Sequence, residues 1–209
     1  MPLATDLSNL FLPSNCAVCA RLPKPLCDEC FDTLRFESKL VNRGELSGQS
    51  IGEYRDQLAT VINAFKERGH RNLGALLGNE LAKQLTRPDA QLLVAAPSAT
   101  ARGFVPAEII AGALGKAWAM PVARLRIRPG GQDQSQLHRS DRLVNLVNRI
   151  WSPIPLSGKR VLLVDDVVTT GATLTEMARA VAVAGGEPIG FITVAETIPK
   201  SHTKSKKKV

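Results

Sequence analysis

Aromatic residues are scarce in this chain of 209 residues: six Phe, two Trp and one Tyr. So few rings argue against a base-stacking platform of the kind that grips single-stranded nucleic acid without sequence preference. No apolar run approaches the roughly 18 residues needed to span a bilayer. The opening residues, MPLATDLSNLFLPSN, carry no basic n-region and only a short apolar patch, a poor secretory signal. A soluble, cytoplasmic protein is therefore expected. A GxxxxGK[ST] loop is missing too. The nearest string, GALGKA at Gly112 to Ala117, has the wrong spacing for a P-loop nucleotidase. Cysteine is absent after position 30, and there is no internal repeat.

Acids are missing from the last ten residues, KSHTKSKKKV, which hold five lysines. The formal net charge of +8 falls to +3 without them. A second excess, six arginines against two aspartates, lies between Pro121 and Arg149. The chain is thus not basic throughout. It has a basic tail and one arginine-rich segment, each a candidate contact for phosphate groups or simply a solvated stretch.

Three segments are expected: residues 1–45 with all four cysteines, an alternating region over 46–199, and a disordered basic tail over 200–209. The polar, glycine-bearing stretch Asn42 to Gly52 reads as a connection. Leu58, Val61, Ile62 and Phe65 recur at helical spacing, with Gly69 placed to cap the end. Leu73 to Leu85 and Val105 to Leu114 give two more helices, and Leu174 to Val181 a fourth that ends at Gly185 and Gly186. Leu92 to Ala96, Pro121 to Ile127, Val161 to Val164 and Ile189 to Ala195 read as strands, and Arg128 to Leu143 as a long loop running into a helix. Strands alternating with helices predict an α/β fold, a parallel sheet flanked by helices, with ligands at the carboxyl ends of the strands.

One such end reads VLLVDDVVTTGAT, Val161 to Thr173. Asp165 and Asp166 are expected to leave the strand. Thr169, Thr170, Gly171, Ala172 and Thr173 then form a tight loop into a helix. Helix-start amides and threonine hydroxyls suit a phosphate, and Gly171 admits close approach to the backbone. Carboxylates suit sugar hydroxyls or a hydrated Mg²⁺. A ligand with a phosphate, a diol and a metal close together fits, such as a ribose 5-phosphate. A Walker B strand also ends in acids, but it needs the P-loop that is missing. This stretch resembles the phosphoribosyl pyrophosphate (PRPP) motif of the type I phosphoribosyltransferases. The resemblance implies that Asp165 and Asp166 contact the ribose hydroxyls and that Thr169 to Thr173 hold the 5-phosphate, with PRPP arriving as its Mg²⁺ complex.

The amino-terminal CAVCARLPKPLCDEC has the pattern C-x2-C-x7-C-x2-C. Two pairs of thiolates, Cys16 with Cys19 and Cys27 with Cys30, can complete a tetrahedral, structural Zn²⁺ site with no open position. A redox CxxC is the rival. It belongs at a helix start after a strand and rarely comes in two copies. A zinc knuckle ahead of a PRPP motif resembles the ComF family, phosphoribosyltransferase-like proteins linked with DNA uptake in competent bacteria. Gly52 to Arg71, Pro97 to Phe104 and Gln132 to Leu146 match family segments, the last with Gln136, Arg142 and Asn145 in place. Three features depart from the family: a second cysteine cluster is lacking, the strand end at Pro97 is poorer in proline and arginine than is usual, and Val105 and Pro106 follow Arg-Gly-Phe where Asn-Gln is usual.

Arg102 follows a strand end where pyrophosphate would sit. Lys66 and Arg68 are weaker candidates for a ligand phosphate, since cations are favoured at a helix carboxyl end in any case. Arg139 and Arg142 could close as a flap over the reactive sugar. His138 is set aside as a solvated side chain, and Trp118 and Trp151 as packing residues. Two functions follow from the shared site. One is phosphoribosyl transfer to an unidentified acceptor with release of pyrophosphate. The other is a non-catalytic, PRPP-dependent factor that holds single-stranded DNA during uptake through its basic segments.

Overall fold

The structure is a computed structural model and describes residues 15–98, 103–129 and 147–198. The expectations placed on Arg102, on Gln136, His138, Arg139, Arg142 and Asn145, and on the lysine tail lie outside those residues.

A six-stranded sheet in the order β1-β2-β8-β7-β3-β4 forms the spine. Its central strands are β7 (Arg160–Val168) and β8 (Glu187–Glu196), flanked by β3 (Leu92–Ala95) and β4 (Val122–Arg124). All of these pair in parallel. Their apolar runs are buried on both faces, as a sheet covered by helices requires: Leu93, Val94, Val161, Leu163, Val164 and Val194 are all inaccessible. The helices are α2 (Asp56–Glu67), α3 (Arg71–Gln84), α4 (Pro106–Trp118) and α5 (Ala172–Val183). Each starts within two residues of the first apolar position in its helical pattern. Gly69 takes the left-handed conformation expected just past α2.

Three local readings are corrected. The stretch read as a connection is a hairpin, β1 (Lys39–Arg43) with β2 (Leu46–Ser50). It straddles residue 45, and β2 joins the main sheet alongside β8. Gly44 has φ +61°, the positive φ that a two-residue hairpin turn demands. Gly48 lets the hairpin press onto β8: a Cβ there would lie 2.3 Å from the Phe191 carbonyl oxygen. The expected strand Pro121 to Ile127 is broken after β4. Its remainder, β5 (Arg126–Ile127), turns away to pair antiparallel with β6 (Ile150–Trp151). Trp118 packs in the core, whereas Trp151, on β6, is 37% exposed.

The cysteine segment packs on the main core. Cys16, Ala17, Leu26, Cys30 and Leu34 belong to the same buried cluster as the sheet residues. A short helix, α1 (Asp28–Asp32), carries the last cysteine. Arg68, just past α2, donates to the Ala17 carbonyl at 3.3 Å, and the Thr33 hydroxyl bonds the Gln57 side chain. No described helix is long and apolar enough to cross a membrane.

Candidate functional site

The two acids do not leave their strand. β7 runs on to Val168, with Asp165 paired to Thr193, Val167 to Ala195 and Val168 to Glu196. The other neighbour, β3, stops at Ala95 opposite Val164. Asp165 and Asp166 therefore lie on the part of β7 that has a partner on one side only. This follows from strand length: four residues of β3 against nine of β7.

Alternation along a strand separates the two side chains and limits their repulsion. Asp166 is 6% exposed, and Lys66 from α2 lies 3.0 Å from both of its carboxylate oxygens. Lys66 is thus committed to an acid, where the sequence had offered it for a ligand phosphate. Asp165 folds back and accepts the Asp166 N–H at 2.8 Å. Burial, and then the neighbouring Asp166 charge, push the Asp165 carboxyl up to about 8, against the opposing pull of that N–H and of Lys66. In the next strand, the Thr193 hydroxyl, in register with Asp165, is the buried side-chain polar atom that lacks a partner among the described residues.

Beyond Val168, Thr169 and Thr170 are exposed and Gly171 has φ +86°. Gly171 is the N-cap of α5 and makes no side-chain cap. The Thr170 hydroxyl accepts the Ala172 N–H at 3.4 Å, and the first helical bond runs from Thr175 N–H to the Gly171 carbonyl. The first-turn amides have no preceding turn to bond, so the loop can offer donors to an anion. The Cβ side of Gly171 is filled by Arg43: a Cβ would lie 2.5 Å from that of Arg43. Arg43 was missed in the sequence because it sits in the stretch read as a connection. The signal that could have found it is Gly44-Glu45, a Gly-X turn between two short alternating runs.

Phe104, two residues after Arg102 in sequence, is packed between the Phe65 ring, 5.8 Å away between centroids, and the Arg71 guanidinium, 5.0 Å from its centroid. Gly103 has φ +68° and its carbonyl accepts from Arg71 at 3.4 Å. A cavity of about 350 Å³ opens between the cysteine segment and the start of α2. Lys39 and Arg55 in its lining pair with Glu53 at 3.0 and 2.8 Å, and it includes neither the acids nor the threonine loop.

The four cysteines converge. Their sulfurs all lie within 4.8 Å of one another, with Cys19 and Cys27 at 3.7 Å. Zn–S bonds of about 2.3 Å in a tetrahedron put sulfurs about 3.8 Å apart, so this cluster can hold a metal such as zinc. No disulfide joins any of the four. Cys27 does precede a helix, as a redox pair would, but no strand leads into it and two more thiols face it.

A model of the phosphoribosyl transferase domain matches residues 72–209, and the chain belongs to that family. The doubly covered, mainly parallel sheet is the type I fold of these proteins. Over 119 residues the chain is 37% identical to an adenine phosphoribosyltransferase of Synechococcus sp. (strain CC9902), covering 56% of this chain and 62% of that protein. The likeness to the DNA utilization protein YhgH of Salmonella typhimurium is 29% over 203 residues, 86% of each chain. The competence protein ComFC of Bacillus subtilis is 26% identical over 175 residues, 78% of this chain and 70% of that one.

The raised Asp165 pKa has a consequence for stability. Above the unfolded carboxyl value the unfolded chain has given up this proton while the folded chain keeps it, so stability falls as pH rises from about 4 to about 8. Asp165→Asn removes that loss. Urea denaturation should show the variant gaining on the wild type across this window, by at least about 1 kcal/mol at pH 8. A difference that does not change with pH would contradict the assignment.

Proposed function

We propose that this protein binds PRPP with Mg²⁺ at the carboxyl end of β7 and transfers its phosphoribosyl group to a nucleophilic acceptor. The carrying observation is the juxtaposition of two acids, on a strand that outruns its neighbour, with a threonine loop opening α5, in a chain of the phosphoribosyl transferase domain family. Asp165 and Asp166 hold the ribose hydroxyls. Thr169 to Thr173 hold the 5-phosphate through helix-start amides and hydroxyls. Arg102 is assigned to the pyrophosphate.

In the reaction the bond from the anomeric carbon to pyrophosphate breaks, a bond to the acceptor forms, and the acceptor loses a proton. Positive charge develops on the sugar, so the buried Asp166 carboxylate beside it stabilises the transition state, while fixed amides hold the sugar in place. Mg²⁺ arriving with PRPP would offset the charge of the leaving pyrophosphate. Lys66, 3.0 Å from the Asp166 carboxylate, holds it in place. Cys16, Cys19, Cys27 and Cys30 fit a structural Zn²⁺ with no open coordination position. Its contribution is to hold the segment that braces α2 and hence Lys66.

Calorimetric titration of Mg²⁺-PRPP should show binding by the wild type and a loss of at least about tenfold in Asp165→Asn and Asp166→Asn, about 1.4 kcal/mol each. Pyrophosphate release should follow when the right nucleobase or amine is added. A folded, zinc-loaded wild type that does not bind PRPP contradicts the proposal.

A second reading, in which PRPP binding serves DNA handling, draws on the names of the relatives YhgH and ComFC and on the five lysines after residue 199. Its signature is electrostatic. Single-stranded DNA affinity should fall steeply with salt, and deleting Lys200 to Val209 should flatten that dependence. Salt-insensitive or absent DNA binding rules it out.

A further inference from the structure

Arg43 stands at the end of β1, more than a hundred residues before the threonine loop, yet its side chain is only 12% exposed and spends every nitrogen on this corner of the molecule. Nε donates to the Thr169 carbonyl at 2.7 Å. One terminal nitrogen donates to the Asn42 carbonyl at 2.9 Å. The other donates to the Glu196 carboxylate at 2.9 Å and to the Thr197 carbonyl at 3.0 Å. Its Cβ rests against Gly171. One guanidinium therefore joins the hairpin, the carboxyl end of β8 and the first carbonyl after β7.

We propose that Arg43 is the positioning residue of the phosphate loop. The inference rests on the reading of Thr169 to Thr173 as that loop. In a trans peptide the carbonyl and the next N–H point in opposite directions in one plane. Arg43 holds the Thr169 carbonyl toward itself, so the Thr170 N–H is turned away from Arg43. The preceding carbonyl, that of Val168, is held separately by Thr197 N–H at 2.9 Å. Gly171, left-handed at φ +86° and without a Cβ to strike Arg43, then carries the chain into α5. The loop's donors are thus aimed before any anion arrives, and no conformational search is left for the ligand to suppress.

Arg43 does this by shape more than by charge, because Glu196 neutralises it. A planar fork that reaches several acceptors at once is what lysine lacks. Arg43→Lys should therefore behave nearly as badly as Arg43→Met, which keeps the stem over Gly171 and loses every hydrogen bond.

Binding of ribose 5-phosphate and of magnesium pyrophosphate to the full-length, zinc-loaded protein, measured by calorimetry, separates the outcomes. Arg43→Met is expected to weaken ribose 5-phosphate at least tenfold and pyrophosphate less than twofold, while Arg43→Lys recovers no more than a third of the loss. Glu196→Gln, which leaves Arg43 in place but loosens its anchor, covers the case in which the Arg43 variants do not fold. It should weaken ribose 5-phosphate about threefold with pyrophosphate unchanged. Equal weakening of both ligands, full rescue by lysine, or unchanged ribose 5-phosphate binding in a folded variant would overturn the inference. A wild type that binds neither ligand removes the phosphate-loop reading itself, and the role of Arg43 with it.

Discussion

Two carboxyl groups on adjacent residues of a buried strand are the constraint around which this molecule is arranged. Burial and the neighbouring Asp166 charge push Asp165 toward the neutral form, so it holds its proton more tightly. Lys66 takes both oxygens of Asp166. That solution places a demand on α2, which must deliver Lys66 to the right height. The cysteine segment meets it from outside: Arg68 is tied to the Ala17 carbonyl and Gln57 to Thr33, so the converging thiols are linked mechanically to the acid pair through one helix.

The opposite flank of the site is held by a different kind of contact. There the hairpin comes against β8 because Gly48 and Gly190 leave no side chain between the backbones; a Cβ on Gly190 would lie 2.7 Å from the Ser47 carbonyl oxygen. From this hairpin Arg43 reaches the threonine loop. The strand end is therefore clamped from two sides by residues distant in sequence, Lys66 on the acids and Arg43 on the loop. Pre-set geometry of this kind is what a site needs if binding energy is to go into catalysis rather than ordering.

Elements with strong internal patterns were legible in the sequence. Val161 to Val164 announces a buried strand by its run of branched residues, and Leu73 to Leu85 announces a helix by its spacing. The cysteine pairs announce their convergence by spacing alone. What escaped was set by partners. β7 extends through Asp165 and Asp166 because β8 continues beside it, a fact no local composition reveals. The strand expected through Ile127 breaks because β5 finds a second partner in β6. Polar Lys39 to Ser50 lacks the Asn-Gly or Asp-Gly turn that most plainly marks a hairpin, so the segment carrying Arg43 read as a connection. Lys66 was visible as a cation at a helix end, but its commitment to Asp166 is purely tertiary.

Whether the acids read a diol while the loop reads a phosphate is decided by comparing ribose 5-phosphate with 2-deoxyribose 5-phosphate by calorimetry, in the wild type and in Asp165→Asn and Asp166→Asn. A site built to bond a hydroxyl leaves buried polar groups unpaired when that hydroxyl is missing. The wild type should therefore favour the ribose by about tenfold or more, and the variants should lose most of that preference while still binding the phosphate. Equal affinity of the wild type for the two sugars would show that the carboxylates face something other than the ribose.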